Sequence, residues 1–498
     1  MVRRFLITTI LIVVSTWLLF CLAIVIGLGS AKIITVDDDG SEDYVTIQDA
    51  INSSEDGDTV IVHDGVYHEN IIVNKSLDLF GTRNGITTIN GSENGSVVVI
   101  KSNWVNVSGF YIIGSGKNSE DAGIKVESNH SIISNNTCSK NQIGIYLYQA
   151  NDTIISNNIC NGSRTHGIYL YDSYSNNLSG NNISSNAIWG LSTTSNFNNI
   201  MNNICMYNGG GILNIGDNTT ISNNTISINQ EYGLFLTGKY CKIINNAISG
   251  NLKNGMYLSY ANYNILSTNV CSNNGYGVFL LESNNNIMAN TTCSYNEYGI
   301  SLALSGYNTF AENVISQNNI GISVNNPSFN NSIYYNKISN NDNFGIYNYE
   351  SNGIFIVGSE DHLDELMVNA THNWWGNASG PYHPTKNPRG TGDNISDYIH
   401  FSPWLDEFGN PLTIENQDKE EHYDLYIFFT LIIILTILFS LLFIVVTLPY
   451  DHFLTSIFHS GPNENDSNEK SELTASNEIN NDSFKPPPSN NINNENLE

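Results

Sequence analysis

The segment Gly144-Ile145-Tyr146-Leu147 is one copy of a motif that recurs through the middle of the chain, from Gly123 to Gly345. Successive motif glycines are 21 to 24 residues apart, and most begin the pattern glycine, apolar, any residue, apolar. An inner column of Cys or Ile keeps the same period, and an Asn column comes two positions before it. Several columns with one period are typical of a repeat protein.

Each column has ten predicted members. The inner column is read as Cys138, Cys160, Ser184, Cys205, Ile226, Ile248, Cys271, Cys293, Ile315 and Ile338. The Asn column is read as Asn136, Asn158, Asn182, Asn203, Asn224, Asn246, Asn269, Thr291, Asn313 and Asn336. Five of the seven cysteines fall in the inner column, so we expect them to be small buried residues. The rung spacing slightly exceeds the ~3.8 Å between disulfide Cβ atoms, which favours free stacked thiols over disulfides.

A period near 22 residues also fits leucine-rich repeats, which need a Leu-dominated pattern and a helical segment in each turn. Here the segments between the motifs contain Asn, Ser, Thr, Gly, Ile and Tyr, which favour strands and turns over helices. Three short strands per repeat, stacked ~4.8 Å above the next repeat, would pair every buried backbone group. The sequence therefore predicts an all-β protein, a right-handed parallel β-helix.

The composition limits the partners of such a solenoid. The formal net charge is −28, although only 13% of residues are charged. The acidity comes from scarce Lys and Arg, so the clustered cations that bind nucleic acid phosphates are missing. Apolar residues make up 40% of the chain, which excludes disorder over most of it. We expect no nucleic acid partner.

Two apolar stretches predict the topology. Residues 1–31, with Arg3 and Arg4 before an apolar core, are interpreted as a signal peptide or an uncleaved signal anchor. Residues 425–448 contain no charged residue and predict a transmembrane helix. The N-terminal arginines favour a cytoplasmic N-terminus, which places the bulk of the chain outside the cell membrane. The acidic, Asn-rich tail at 449–498 is then a disordered cytoplasmic segment.

A solenoid needs capped ends. Thr46-Ile47-Gln48-Asp49-Ala50-Ile51 is typical of a short amphipathic helix, within a predicted N-terminal cap at residues 32–58. The β-helix is predicted at 59–372, followed by a C-terminal cap at 373–406 that contains three tryptophans, and by a juxtamembrane linker at 407–424.

Local motifs at both ends resemble a known family. The opening Ile34-Thr35-Val36-Asp37-Asp38-Asp39-Gly40, with Gly57-Asp58-Thr59-Val60 and Gly65-Val66-Tyr67, resembles the start of pectin-lyase-like β-helix proteins. The repeats resemble the NosD-type, carbohydrate-associated family, and Asn373-Trp374-Trp375-Gly376 with Pro403-Trp404-Leu405 is similar to the closing segment of archaeal surface members. The resemblance covers residues 33–406. It implies the fold and leaves activity open, because the superfamily includes lyases, hydrolases, epimerases, adhesins and a copper-maturation factor.

Ligand-binding candidates come from the position between the two apolar residues of the motif, which points outward. Aromatic residues in this column and the next outward position are predicted to contact sugar rings: Tyr146, Tyr148, Tyr169, Tyr171, Phe235, Tyr257 and Phe279. The alternative is that neighbouring rings only stabilise the ladder, by ~0.2–1 kcal/mol per pair.

Catalytic and metal candidates are sparse. Arg164, His166 and Asp172 form the densest charged group in the repeats, and a β-elimination lyase needs such a base and cation, although a solvated turn is the alternative. No repeated carboxylate pair suggests a glycoside hydrolase.

Asp37, Asp39 and Asp43 are candidate Ca²⁺ ligands, with an ordinary acidic turn as the alternative. His362, His372 and His383 are too widely spaced for a local copper or zinc site.

Glycosylation sequons are numerous, and exposed ones would carry glycans outside the cell. The candidates are Asn74, Asn90, Asn106, Asn161, Asn218, Asn330 and Asn377. The sequons at Asn135, Asn182 and Asn223 fall within or beside the Asn column, where we expect burial.

The leading hypothesis is a membrane-anchored surface protein that binds polysaccharide or envelope glycan, or that acts as an adhesion scaffold. An enzyme on acidic polysaccharide (lyase, hydrolase or epimerase) and a NosD-like copper-maturation accessory protein are the alternatives.

Overall fold

A computed structural model describes residues 31–82, 86–325, 327–349 and 367–412, all within a compact unit that spans residues 1–417. Three long parallel sheets wind along one axis, and each turn of the chain contributes one strand to each sheet. The predicted parallel β-helix is therefore confirmed. The leader, the segment 425–448 and the tail lie outside the described residues. Within the described ranges, no helix is long and apolar enough to cross a membrane.

Sheet 1 begins each turn. Its sixteen strands are Ile33–Val36, Thr59–Val62, Asp78–Gly81, Asn106–Ser108, Ile132–Ser134, Ile154–Ser156, Asn177–Ser179, Asn199–Met201, Thr220–Ser222, Lys242–Ile244, Ile265–Ser267, Ile287–Ala289, Thr309–Ala311, Ser332–Tyr334, Val368–Asn369 and Ile399–His400.

Sheet 2 follows after a corner. Its thirteen strands are Gly65–Tyr67, Thr87–Asn90, Tyr111–Ile113, Thr137–Ser139, Ile159–Asn161, Asn182–Ser184, Ile204–Met206, Thr225–Ser227, Ala247–Ser249, Val270–Ser272, Thr292–Ser294, Val314–Ser316 and Lys337–Ser339.

Sheet 3 completes the turn and contains the Gly-Ile-x-Leu motifs. Its thirteen strands are Ile71–Val73, Val98–Ile100, Ala122–Val126, Ile143–Tyr148, His166–Tyr171, Trp189–Thr193, Gly210–Asn214, Tyr232–Leu236, Asn254–Ser259, Tyr276–Leu281, Tyr298–Ala303, Ile320–Asn325 and Phe344–Asn348. Inward Ile, Leu, Val and Cys side chains from all three sheets form one continuous core.

Both ends of the described solenoid are closed by apolar residues. The helix Ile47–Ser53 begins after Thr46, whose side chain accepts a hydrogen bond from the backbone N–H of Asp49, and it buries Ile47, Ala50 and Ile51. At the other end Trp375 is fully buried in the core and Trp404 packs against the same core. The short pairs Pro381–Tyr382 with Gly392–Asn394 and Trp404–Leu405 with Pro411–Leu412 complete this end.

The sheet extends into both predicted caps. The strand Ile33–Val36 pairs in parallel register with Thr59–Val62, so sheet 1 begins inside residues 32–58. At the other end the strand Ile399–His400, which lies inside residues 373–406, pairs with Val368–Asn369. Parallel pairing continues there because the terminal strands satisfy the exposed edge of the ladder.

Buried asparagine side chains form ladders at all three corners. At the corner between sheets 1 and 2, Asn246 Oδ1 accepts from the backbone N–H of Asn224, and Asn246 Nδ2 donates to Ile221 O and Asn269 Oδ1. The other two ladders are built from Asn186, Asn208, Asn229, Asn251, Asn274, Asn296, Asn318 and Asn341, and from Asn176, Asn198, Asn264, Asn286, Asn308 and Asn331. The amides satisfy backbone groups that the corners leave without a strand partner.

The sequence alignment of the columns is wrong in one rung. Asn181 occupies the buried ladder position, and Asn182 begins an exposed edge of the next strand. Likewise Ile183, not Ser184, pairs in register with Cys160 and Cys205. The preceding turn is one residue longer than its neighbours, and side chains alternate inward and outward, so an error of one position reverses the side on which each residue lies.

The cysteines behave as expected. All six in the described residues are free and buried. Cys138 and Cys160 are direct register partners, as are Cys271 and Cys293. Burial raises the pKa of the Cys205 thiol to about 12, so it stays protonated.

Candidate functional site

The outward face of sheet 3 carries two parallel columns of aromatic side chains. The first column is the predicted one and lies two residues after each motif glycine. Its register partners include Tyr146 with Tyr169 and Phe235 with Tyr257. The second column is the residue before each glycine, which sequence reasoning missed, and it contains His166, Trp189, Tyr232, Tyr276, Tyr298 and Phe344. The 22-residue period would have found it, because these residues precede the same glycines.

The first aromatic cluster, Tyr146, Tyr148, Tyr169 and Tyr171, spans two consecutive rungs. The rings of Tyr146 and Tyr169 stack at 5.3 Å between centroids, and those of Tyr148 and Tyr171 stack at 5.9 Å. Lys125 Nζ lies 5.5 Å from the Tyr146 centroid and 5.4 Å from the Tyr148 centroid, within range of a cation–π interaction. The predicted patch is therefore assembled.

Tyr146 is not at the surface, and its prediction as a ligand contact is wrong. It is 3% exposed and packs with Ala122 and Ile143 beneath Tyr148 and Tyr169. Burial raises the pKa of its hydroxyl, and the nearby carboxylate of Glu120 adds to that effect. Tyr171, at 45% exposure, is the most accessible ring of the cluster. Tyr146 is covered because Tyr169 of the next rung stacks on it and Lys125 of the preceding rung is its register partner on the other side.

The second aromatic cluster continues along the same face. Phe235, Tyr257 and Phe279 stack rung upon rung, with centroids 4.8 Å and then 5.3 Å apart. Tyr276 and Tyr298 stack beside them at 4.7 Å. All five rings are half-buried. Rings stacked on both faces stabilise the ladder and present mainly their edges and hydroxyl groups to a ligand.

The weak catalytic trio is not brought together. Arg164 and His166 lie at the start of the strand His166–Tyr171, and Asp172 comes just after its end. Six residues of extended chain separate His166 from Asp172 by about 20 Å. The guanidinium of Arg164 lies 3.8 Å from Glu93, and Asp172 accepts hydrogen bonds from Tyr174 and Gln149.

His166 is buried against Tyr169, with ring centroids 4.9 Å apart, and its Nδ1 has no hydrogen-bond partner. Burial lowers the pKa of its imidazole to about 4, so the ring is neutral at pH 7. A neutral, covered imidazole contributes to packing. It has no geometry for proton transfer with Asp172.

The predicted metal ligands point into separate local contacts. Asp39 accepts hydrogen bonds from the side chain and the backbone N–H of Ser41, and Asp43 accepts from the backbone N–H and side chain of Thr35. These bonds hold the pKa of both carboxyl groups below the usual range. Across the described ranges, no group of three or more His, Cys, Asp or Glu side chains is arranged to hold a metal ion. The Ca²⁺ sites at Asp37, Asp39 and Asp43 therefore remain a prediction within the described residues. His362 lies outside them.

The predicted glycosylation sites differ in accessibility. The first group, Asn74, Asn218, Asn330 and Asn377, is exposed, whereas Asn90, Asn106 and Asn161 are half-buried in strands. The expectation of burial at Asn135, Asn182 and Asn223 is wrong, because all three are exposed next to the buried ladder. Modification of all these sites remains a prediction.

Fold and columns together define a right-handed parallel β-helix repeat protein. A family profile described as "right handed beta helix region" matches residues 210–360, and one described as "periplasmic copper-binding protein (NosD)" matches residues 51–232. Over those residues the chain is similar to right-handed β-helix proteins and to the NosD type.

Among curated proteins, a "cell surface glycoprotein" of Methanothermus fervidus is 44% identical over 108 residues, which are 20% of this chain and 17% of that protein. The chain thus matches about a sixth of its relative's length.

Similar solved structures include the Dettilon tailspike protein, with a TM-score of 0.44 and 16% identity over 65% of this chain and 69% of that chain. The A-module of the mannuronan C-5 epimerase AlgE6 of Azotobacter vinelandii has a TM-score of 0.40 and 15% identity over 72% of this chain and 94% of that chain.

Proposed function

We propose that this chain is an extracytoplasmic protein, anchored in the membrane by residues 425–448, whose β-helix binds polysaccharide or envelope glycan. The outward face of sheet 3 carries this proposal. Half-exposed rings there follow one another along the solenoid axis, on the first and second aromatic clusters. Such a face offers a linear polymer one apolar contact per rung, at ~4.8 Å intervals. The name of the curated relative, a cell surface glycoprotein, supports the location.

Polar groups beside the first aromatic cluster suit sugar hydroxyl groups. Gln149 and Asp172 form a hydrogen-bonded pair at the end of the same strands, next to Tyr171. Lys125 is neutralised by Glu120 and Glu127, which lie 3.0 Å and 3.1 Å from its Nζ atom. A face without free cations favours a neutral glycan over an acidic one. The acidic-polysaccharide enzyme is accordingly the weaker hypothesis.

The test is binding of the full-length chain to a glycan array, beside a Tyr148→Ser/Tyr169→Ser/Tyr171→Ser variant. Tyr146 is left unchanged because its loss would open the packed cluster. The matched control is Ile132→Ser/Ile154→Ser, which changes outward side chains on sheet 1 that are 38% and 39% exposed.

We expect the tyrosine variant to lose binding and the isoleucine control to retain it. Equal binding by all three proteins would refute the sheet 3 site. Absence of binding by the unmodified chain would leave a surface scaffold as the better account. Fractionation of cells tests the anchor separately. A chain that ends at residue 424 and has a cleavable signal peptide in place of residues 1–31 should leave the membrane fraction.

A further inference from the structure

One corner of the solenoid carries large aromatic residues in an unfavourable backbone conformation. At the corner between sheets 3 and 1, one position per rung has positive φ, and a backbone hydrogen bond links each such N–H to the next rung, from Trp104 to Tyr307. Five of these positions, which we call the corner ridge, hold bulky rings at φ between 57° and 62°: Trp104, Phe197, Tyr240, Tyr263 and Tyr307.

The backbone conformation at these positions is unfavourable for large rings. Bulky residues rarely adopt positive φ, and Asn or Gly takes this conformation at much lower cost. Equivalent rungs of the same column do hold Asn218, Asn285 and Asn330. The five rings are also 50% to 66% exposed, so they bury little surface in return. Stacking supports Trp104, Tyr240 and Tyr263 on one face each, and no ring contact among the described residues supports Phe197 or Tyr307. Strained backbone positions are enriched at functional sites.

The ridge contrasts with the outward face of sheet 3. Rings on that face are half-buried in regular strands, where stacking stabilises the ladder. On the ridge, Tyr240 stacks on Tyr263 at 5.2 Å, and Trp104 stacks on His130 of the next rung at 4.3 Å. Phe197 lies two rungs before Tyr240. The column from Trp104 to Tyr307 extends over nine rung steps, or about 43 Å along the axis.

Amide donors line the ridge on one side. In the column just before it, Asn196 Oδ1 accepts from the backbone N–H of Asp217, and Asn284 Oδ1 accepts from that of Gly306. These bonds occupy the carbonyl oxygen of each amide and leave its Nδ2 group free at the half-exposed surface. Donors beside ring faces match a ligand with many hydroxyl acceptors and C–H faces.

The charge of the corner excludes other ligand classes. Among the described rungs, these two columns contain a single lysine, Lys239, against Asp152 and Asp217. An anionic polymer or an anionic lipid surface would need several cations here. Rings separated by Asn also form no continuous apolar patch of the kind that a protein partner buries.

From these observations we propose that the corner ridge is a second carbohydrate site, which binds a neutral polysaccharide chain lying parallel to the solenoid axis. It is separate from the sheet 3 face, and the two sites can be tested independently. Asn218 lies between Phe197 and Tyr240 in the column and is a sequon. The protein for the test is therefore produced in a host without N-glycosylation.

The test variant is Phe197→Asn/Tyr240→Asn/Tyr263→Asn in the full-length chain. Asn suits positive φ, so this variant should unfold in urea at a midpoint equal to or above that of the unmodified chain. The matched control is Tyr207→Asn/Tyr295→Asn, since these tyrosines have φ of 58° and 57° and are 54% and 57% exposed at the corner between sheets 2 and 3.

Affinity electrophoresis in gels that contain hydroxyethylcellulose, glucomannan or soluble starch measures binding. Alginate gels and phosphatidylcholine vesicles serve as the anionic and lipid probes. We expect at least one neutral polymer to retard the unmodified chain and the control equally. The ridge variant should lose affinity on the order of tenfold, as expected when central aromatic anchors are removed.

Four results would overturn the proposal: no retardation by any neutral polymer, retardation by alginate alone, ridge-dependent binding to vesicles in place of polymer, or a lower unfolding midpoint of the ridge variant than of the control. Loss of binding in the sheet 3 variant but not in the ridge variant would refute the ridge and leave the proposed function standing. The converse result would move the glycan site to the corner.

Discussion

The buried amide ladder between sheets 1 and 2 makes a quantitative prediction for Asn246→Ala. The side chain of Asn246 is 1% exposed. Its removal leaves the backbone N–H of Asn224 without an acceptor, which costs ~1–3 kcal/mol for a buried donor. Three further bonds are lost, from Nδ2 to Ile221 O, from Nδ2 to Asn269 Oδ1 and from Asn224 Nδ2 to Oδ1, at ~1 kcal/mol each. We expect a total loss of about 4–6 kcal/mol in the free energy of unfolding.

Two further substitutions calibrate this value. Asn246→Thr should cost about half as much, because Thr291 occupies the same column and its Oγ1 accepts from the backbone N–H of Asn269 at 3.3 Å. Asn245→Gly is the matched control one residue away. Asn245 is exposed with φ of 56°, a conformation that glycine adopts freely, so its loss should cost less than ~1 kcal/mol.

Urea unfolding of the full-length chain, followed by circular dichroism, gives the order of the three variants. Repeat arrays can lose two-state behaviour, so hydrogen exchange across residues 221–269 should accompany it and report local opening. A cost for Asn246→Ala within ~1 kcal/mol of that for Asn245→Gly would refute the idea that the ladder amides hold the corners together.

Three other predictions follow from buried groups. The pKa of His166 is about 4 in the folded chain, below the ordinary value of 6.5. The contribution of this residue to stability is therefore complete above pH 6.5, and the free energy of unfolding falls by roughly 2–3 kcal/mol as the pH drops towards 4. His166→Phe should abolish this pH dependence in urea titrations, and an unchanged dependence would contradict the burial. Asp393 ends an Asn ladder by accepting from Asn341, and burial raises the pKa of its carboxyl group. Asp393→Asn should raise the unfolding midpoint at pH 7, with a gain that shrinks in acid, whereas destabilisation at pH 7 would show that the charge is needed. The six cysteines of the described residues should react with a thiol reagent only after unfolding, because they are buried and burial raises the pKa of Cys205 to about 12. Rapid reaction of the native chain would disprove the buried cysteine column.

Much of the fold was predictable from the sequence because the contacts of a solenoid are local and repeated. Each rung meets only its neighbours, so a single period of Gly, Ile and Asn already specifies the strands, the inward side and the stacked thiols. The capping helix was found for a similar reason, since Thr46 and the apolar positions of Ile47 and Ile51 are a local signal. The boundaries of the caps could not be found in this way, because strand pairing at the ends joins residues far apart in sequence.

The candidate site was only partly predictable. The outward column correctly brought Tyr148, Tyr169 and Tyr171 together, because register partners stack at the rung spacing. The sequence could not show that Tyr146 is covered, since this depends on the sizes of side chains about 22 residues away. It also grouped Arg164, His166 and Asp172 by sequence proximity, which an extended strand separates in space.

By itself, the sequence determined that this protein is a parallel β-helix with an apolar interior and few cations, because periodicity and composition are properties of the chain. Only the tertiary structure decided which outward residues are accessible and which turn residues have positive φ. The corner ridge is visible only there, because Phe197, Tyr240 and Tyr263 look like ordinary loop aromatics in sequence. Their alignment arises from the stacking of successive turns, which converts residues more than twenty positions apart into neighbours on one edge.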